Sequence, residues 1–172
     1  QTDDILHRYN RLMAFRKEST QFGNQRQTAE KLAVNIALGN LARTAGFSDT
    51  NRFLWSMEAA QLESMQQFFL PQTADDTVLQ LGVDDCGIAH LTITQNGKVL
   101  KSVPAKLKKD ARIVELQNAV RNLRNQHKRA RVSLEEAMVR RDIFAYSEVE
   151  SLLSNPVLSP MVKKLLWINE TG

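Results

Sequence analysis

The sequence contains very little cysteine, glycine and proline, and each shortage excludes a class of protein. Its single cysteine, Cys86, excludes an internal disulfide framework and an all-cysteine metal site. The 7 glycines and 4 prolines among 172 residues are too few for a collagen-like or low-complexity chain. Hydrophobic residues make up 42% of the chain and charged residues 24%, so the composition indicates a folded globular protein.

Long uncharged stretches and recognisable catalytic motifs are missing as well. No window of about 18 residues lacks a charged side chain, so the sequence contains no candidate membrane-spanning segment. The first residues do not follow the basic, apolar and small-residue order of a signal peptide. We therefore expect a cytoplasmic protein that is not an enzyme, has no membrane partner and uses no cofactor or metal.

Aromatic residues are absent between Lys98 and Asp142, where the positive charge is concentrated. Residues 98–141 carry 13 Lys/Arg against 4 Asp/Glu, a net charge of +9. Residues 1–97 have a net charge of −3 and residues 142–172 one of −2, so the overall +4 averages three unlike segments. Proteins that recognise single-stranded nucleic acid stack bases on aromatic rings, and the lack of rings argues against that activity.

Residues 1–70 are predicted to form a helical part. Apolar residues recur every three to four positions in three stretches, 3–17, 28–45 and 48–68. In the second stretch the expected core side chains include Leu32, Ile36, Leu38 and Leu41. A polar loop is predicted over residues 21–27, and Gly46, Ser48 and Asp49 carry the signals of a helix end followed by a helix start.

Residues 77–103 predict a three-stranded antiparallel β-meander. Val, Ile, Leu and Thr dominate three short runs, and Asn96-Gly97 between the second and third runs favours a type I′ hairpin turn. A long basic helix follows over residues 110–141, roughly 45–50 Å in length at the usual rise per residue. Its predicted apolar stripe consists of Ile113, Leu116, Val120, Leu123, Ala130, Leu134, Ala137 and Met138, with His127 on the same side.

Residues 147–168 predict two short closing helices. Ser147 and Glu150 have the spacing of a capping box, and Pro160 is expected at the first position of the last helix. The fold class is thus predicted to be α+β and mostly helical, with the meander between an N-terminal helical part and the long helix. We expect residues 1–172 to be a single module cut from a larger protein, since the chain starts at Gln1 and carries an apolar run, residues 165–168, close to its end.

The basic segment contains the candidate binding site. Lysine and arginine neutralise phosphates, and cations at spacings of three and four share one helix face. The alternative is that these cations are solvated, or paired with acidic residues of the same protein. The candidate residues are Lys101, Lys106, Lys108, Lys109, Arg121, Arg124, Lys128 and Arg131.

Three other groups of residues are weaker candidates. Asp75, Asp76, Asp84 and Asp85 lack the spacing of a calcium loop, and their sequence is typical of turns. Cys86 and His90 are close in sequence, but no third residue is available to orient the histidine. Arg43 and Glu58 are expected to form an ion pair between helices beside a core Trp55.

Several strings occur in an order that resembles a known family. They are Leu41-Ala42-Arg43-Thr44-Ala45-Gly46, Trp55-Ser56-Met57-Glu58, Ser102-Val103-Pro104-Ala105-Lys106-Leu107-Lys108-Lys109-Asp110, Leu134-Glu135-Glu136-Ala137-Met138 and Asn155-Pro156-Val157-Leu158 with Leu165-Leu166-Trp167. The order resembles a bacterial domain of unknown function found in large molybdate metabolism regulator-like proteins, often beside a WGR domain. The resemblance covers residues 38–168, and Asn155 departs from it because the family more often has His there.

The resemblance implies a segment of a long multidomain protein with no established catalytic residues. WGR domains are associated with DNA ends, which favours nucleic acid as a partner by analogy alone. We therefore expect a non-catalytic binding or regulatory module that contacts nucleic acid or an acidic protein through its basic long helix. The alternative is a structural scaffold that only packs against other domains of the parent chain. The sequence predicts no oligomeric state.

Overall fold

The computed structural model of the chain describes residues 2–168, and it confirms the predicted α+β class. Within this range the chain forms seven α-helices, four strands and two short 3-10 helices. The helices are α1 (Thr2–Glu18), α2 (Asn24–Thr44), α3 (Thr50–Ser64), α4 (Gln66–Phe69), α5 (Ala111–Arg140), α6 (Tyr146–Ser154) and α7 (Ser159–Val162). The strands are β1 (Gln72–Ala74), β2 (Thr77–Val83), β3 (Ala89–Gln95) and β4 (Lys98–Val99). The chain divides into two compact units, Gln1–Ala60 and Gln61–Gly172.

The first unit is a helical cluster built around aromatic and aliphatic side chains. Tyr9 of α1 and Phe53 of α3 are almost fully buried and meet edge to face, with ring centroids 6.1 Å apart. Phe47 also meets Phe53 edge to face, with ring centroids 5.5 Å apart. Val34 and Leu38 of α2 complete the centre of this core.

Helix α2 departs from the prediction at its start and in its buried face. It begins at Asn24, so the predicted loop over residues 21–27 is too long. The Gln27 side chain donates to the Phe22 carbonyl at 2.6 Å, which supports the first turn of the helix. Leu38 and Leu41 are buried as predicted, whereas Leu32 and Ile36 were expected in the core but are 61% and 56% exposed, and Val34 is buried in addition.

The end of α2 follows the prediction. Gly46 has a φ of +83°, and its N–H bonds to the Arg43 carbonyl while the Phe47 N–H bonds to the Ala42 carbonyl. These two bonds are the pattern of a Schellman motif. Asp49 caps α3 by accepting the Arg52 N–H at 2.9 Å. The predicted helix over 48–68 is interrupted, since α3 ends at Ser64 and α4 starts at Gln66.

The second unit contains an antiparallel sheet in the order β1-β2-β3-β4. Strands β2, β3 and β4 form the predicted meander, and the β3–β4 turn has positive φ at both Asn96 (48°) and Gly97 (76°), as a type I′ turn requires. Strand β1 was not predicted. It pairs with β2 over only three residues, from Gln72↔Leu79 to Ala74↔Thr77.

Helix α5 has the predicted extent to within one residue at each end. Asp110 is the N-cap and accepts the Arg112 N–H at 2.9 Å, whereas Arg141 closes the other end in the left-handed conformation. The buried face includes Ile113 and Leu116 as expected. Met138 is 60% exposed, so the prediction that it belongs to the apolar stripe is wrong. Gln126 and Ser133 are buried on that side of the helix instead.

The closing helices start and end at other residues than predicted. Helix α6 begins at Tyr146, and the Glu148 carboxylate, rather than that of Glu150, accepts the N–H of the N-cap residue Ala145 at 2.7 Å. The capping box at Ser147 was therefore misplaced by two residues. Helix α7 is only four residues long and carries Pro160 at its second position, since Ser159 is the first helical residue. Residues 166–168 have no regular secondary structure.

Candidate functional site

The basic segment begins in the loop between β4 and α5, where one lysine is held by acidic residues. Lys106 Nζ lies 3.1 Å from Asp76 Oδ1 and 3.3 Å from Asp75 Oδ2, both in the turn between β1 and β2. Gln95 Nε2 donates to the other Asp76 oxygen at 2.8 Å. The hydrogen bonds from Lys106 and then Gln95 hold the pKa of Asp76 below its usual value. Lys106 is therefore engaged within the protein.

The other lysines of this loop have no such partner. Lys101, Lys108 and Lys109 are exposed, and no acidic group of the described chain pairs with them. Lys108 and Lys109 immediately precede the start of α5, where positive charge opposes the helix dipole. Asp110 offsets part of this effect. The pKa of its carboxyl is lowered by hydrogen bonds from the Arg112 side chain and backbone N–H.

Two of the candidate arginines on α5 have structural partners. Arg124 Nε donates to the carbonyl oxygen of Ala89 on β3 at 2.7 Å, so this guanidinium ties the long helix to the sheet. On the same strand, the Ile93 carbonyl accepts a hydrogen bond from the backbone N–H of Leu100 instead of from an arginine. Arg131 pairs with Glu135 one turn later at 2.9 Å. Arg124 keeps its charge uncompensated because its partner is neutral, whereas the charge of Arg131 is neutralised in place.

Arg121 and Lys128 remain as exposed cations without an acidic partner in the part of the chain that the structure describes. The sequence between Glu115 and Glu135 contains no carboxylate at all. In a helix, Asn118, Arg121, Asn125 and Lys128 follow one another at spacings of three, four and three, so they share one face. We call these four residues the outward stripe of α5.

The two asparagines of the outward stripe were not identified from the sequence. Asn118 is half-buried and Asn125 is exposed, and neither side chain has a hydrogen-bond partner among residues 2–168. The prediction from the sequence rests on charge alone, so it does not include neutral amides. Their helical spacing with Arg121 and Lys128 was the signal that would have found them.

The turn between β2 and β3 holds the only cysteine. Cys86 is exposed, and within the described residues no hydrogen bond joins its thiol to an imidazole. His127 on α5 instead contacts the Cys86 carbonyl oxygen through Nε2 at 3.0 Å. His90 lies across from Gly82 in the β2–β3 register. These contacts are structural, and they do not assemble a nucleophile with its base.

The acidic residues of the sheet turns have structural roles too. Asp84 Oδ1 accepts the N–H groups of Cys86 and Ile88, both at 2.9 Å, and the bond from Ile88 is the main cause of the lowered pKa of Asp84. Asp75 and Asp76 bind Lys106. Residues 2–168 contain no group of three or more His, Cys, Asp or Glu side chains placed to hold a metal ion.

The expected ion pair between Arg43 and Glu58 does not form. Arg43 is exposed and donates to the Asn40 side chain on its own helix at 2.6 Å. Glu58 is buried at 3% exposure on α3. Arg43 and Asn40 are three residues apart on α2, so their side chains lie on the same helix face. This contact within α2 is formed in place of the expected ion pair with Glu58 on α3. Trp55 is buried as predicted.

None of the helices between residues 2 and 168 combines the length and the apolar composition needed to cross a bilayer.

Two stretches of the chain match known families. Residues 1–57 match one described as "Family of unknown function (DUF5724)", and residues 97–172 match one described as "Domain of unknown function (DUF4132)". No curated protein and no solved structure matches the chain. The chain is thus similar to two families of unknown function, and each match covers less than half of the chain. The second match contains the whole basic segment, residues 98–141.

Proposed function

We propose that this chain is a non-catalytic binding or regulatory module that contacts nucleic acid through its basic segment. In this proposal it belongs to a large bacterial, cytoplasmic, multidomain protein of the molybdate metabolism regulator-like kind, and the neighbouring domains are further partners. The observation that supports it best is the carboxylate-free middle of α5, where Arg121 and Lys128 are exposed without an ion-pair partner among the described residues.

Electrostatics supplies the physical reason for a polyanionic partner. Each phosphate contacted by Lys or Arg releases a condensed counterion, so a basic face gains affinity for nucleic acid at low salt. Lys101, Lys108 and Lys109 offer further exposed cations in the loop before α5. Lys106 and Arg131 contribute less in this proposal, because Asp76 and Glu135 already neutralise them.

Fluorescence anisotropy with labelled oligonucleotides tests the proposal. We expect binding at 50 mM salt that weakens steeply by 200 mM, by roughly a hundredfold or more if several phosphates are contacted. The variant Arg121→Ala/Lys128→Ala should bind less tightly. Its matched control is Lys163→Ala/Lys164→Ala, which removes the same charge from two exposed lysines beyond α7. Absence of binding at 50 mM, or equal loss in both variants, contradicts the proposal. Binding to polyglutamate but to no nucleic acid would identify an acidic protein as the partner instead.

A second candidate is a scaffold that packs against other domains of its parent chain. It is favoured by the exposed apolar side chains at the end of α5 and after it, where Val139 is 79%, Ile143 69% and Tyr146 83% exposed. Surfaces of this kind commonly mark protein contacts. A scaffold predicts no oligonucleotide binding at 50 mM salt, and the Val139→Asp variant should then disrupt association with the parent protein without changing anisotropy.

A further inference from the structure

The outward stripe of α5 combines two kinds of side chain on one narrow face. At about 100° per residue, Asn118, Arg121, Asn125 and Lys128 lie within roughly 80° of arc and span about 15 Å of helix. Asn118 is half-buried and the other three residues are exposed. The opposite side of α5, with Ile113 and Leu116, is buried. The stripe therefore faces away from the core that holds the helix.

Amides and cations in this arrangement have a specific chemical use. The Asn oxygen accepts a hydrogen bond from adenine N6 and its amide NH2 donates one to adenine N7, whereas Arg and Lys donate to the O6 and N7 of guanine. Lysine and arginine bind phosphates through their charge, and Asn, which also bonds to phosphate oxygens, adds the paired donor and acceptor that match the edge of adenine. The alternation of Asn118 with Arg121 and of Asn125 with Lys128 gives the stripe both functions.

The stripe also distinguishes between classes of nucleic acid. The major groove of B-form DNA is about 12 Å wide and admits an α-helix, whereas that of double-stranded RNA is too narrow for side chains to read. Helix α5 contains no Phe, Tyr or Trp, so it offers no ring on which unpaired bases stack. Both considerations favour duplex DNA.

We propose that the nucleic acid is double-stranded DNA, and that the middle of α5 enters its major groove with the outward stripe against the base edges. This inference rests on the proposed function and adds sequence preference to it. Arg121 and Lys128 contact bases or the adjoining phosphates, and Asn118 and Asn125 contact adenine. The contact ends before Arg131 and Glu135, because these two residues pair with each other and add no net positive charge.

Selection from a pool of random-sequence 30-base-pair duplexes tests the inference, with the full chain as bait. We expect the wild-type chain to enrich a defined sequence that contains adenine. The variant Asn118→Ala/Asn125→Ala should lose roughly tenfold or more in affinity for that sequence while keeping its affinity for the unselected pool. Asn125→Ala alone, at an exposed position, gives the same direction of change if the double variant fails to fold. Thermal unfolding of each variant shows whether it is folded.

A second comparison isolates the groove. Replacing adenine and guanine of the selected duplex by their 7-deaza analogues removes the N7 acceptors and leaves every phosphate in place. We expect weaker binding to the 7-deaza duplex and no comparable binding to double-stranded RNA of the same length. Binding without enrichment, unchanged binding to the 7-deaza duplex, or equal binding to RNA would overturn the major-groove inference and leave the proposed function standing. Absence of binding to every nucleic acid would overturn both.

Discussion

Lys106 and Asp76 form an ion pair across 30 residues of sequence, with Nζ 3.1 Å from Oδ1. The pair joins the loop before α5 to the turn between β1 and β2, and it removes one lysine from the set available to a partner. Lys106 was selected as a binding residue because of its charge and its place in a lysine-rich run. Its position in the structure gives it a different role, that of an ion-pair partner within the protein.

Lys106→Ala should affect nucleic-acid binding less than either Lys108→Ala or Lys109→Ala does. Lys106 is neutralised by Asp76 and Asp75, whereas Lys108 and Lys109 are exposed without an acidic partner in the described chain. Each phosphate contact that is lost reduces the slope of log K against log salt by about 0.9. Anisotropy titrations between 50 and 200 mM salt measure that slope. A larger loss of slope for Lys106→Ala would place this lysine in the interface after all.

Asp84→Asn should make the fold less stable at neutral pH, and the difference should shrink in acid. Hydrogen bonds from the N–H groups of Ile88 and Cys86 hold the pKa of Asp84 below its usual value of 3.8. Because the folded pKa is lowered, the carboxylate stabilises the fold above about pH 4, and this contribution is lost as the pH falls through the folded pKa. Urea unfolding of both proteins at pH 7 and pH 3 measures the effect. A difference that grows in acid contradicts this assignment.

Gly87→Ala should be markedly more destabilising than Gly97→Ala. Both glycines have positive φ, 82° and 76°, so each substitution carries the conformational cost of about 1–2 kcal/mol. At Gly87 an added β-carbon would also overlap the carbonyl oxygen of Val157, whereas at Gly97 nothing lies within 4 Å. We expect a total cost above about 2 kcal/mol for Gly87→Ala, since backbone atoms must move. Equal unfolding free energies for the two variants would show that the turn and the Val157 segment do not touch.

Arg124→Ala should reduce stability, and Arg121→Ala should not. The Arg124 guanidinium donates to the Ala89 carbonyl at 2.7 Å, and Ala89 is fully buried. Removing the Arg124 side chain therefore leaves the Ala89 carbonyl without this hydrogen-bond donor. The expected cost is about 1 kcal/mol. Arg121 lies three residues away on the same helix and is exposed, so its removal should change stability by less than about 0.5 kcal/mol. Thermal or urea unfolding separates the two, and equal stabilities would contradict the structural role of Arg124.

The features that the sequence predicted correctly depend on local signals. Asp110 supplies a capping side chain, and Asn96 and Gly97 tolerate positive φ, so the start of α5 was located to within one residue and the β3–β4 turn to the residue. The meander followed from its β-branched runs. These signals act within a few residues, which is the range over which a single sequence is informative.

The features that were missed depend on contacts between distant residues. Gln72–Ala74 has no strand pattern of its own, and it becomes β1 by pairing with β2. Arg124 reaches a carbonyl 35 positions away, and nothing near it in the sequence indicates that partner. The burial of Leu38 on α2 was predicted correctly, but the core also takes in Val34 and leaves Leu32 and Ile36 exposed. Tertiary packing decided each of these cases.

The salt dependence of duplex DNA binding tests the central claim most directly. It is measured by anisotropy for the wild-type chain, Arg121→Ala/Lys128→Ala and Lys163→Ala/Lys164→Ala. If α5 contacts phosphates through its exposed cations, the first variant should reduce the slope of log K against log salt by up to about 2, and the second should leave it unchanged. Identical slopes for all three proteins, or no binding by the wild-type chain at 50 mM salt, would contradict the claim.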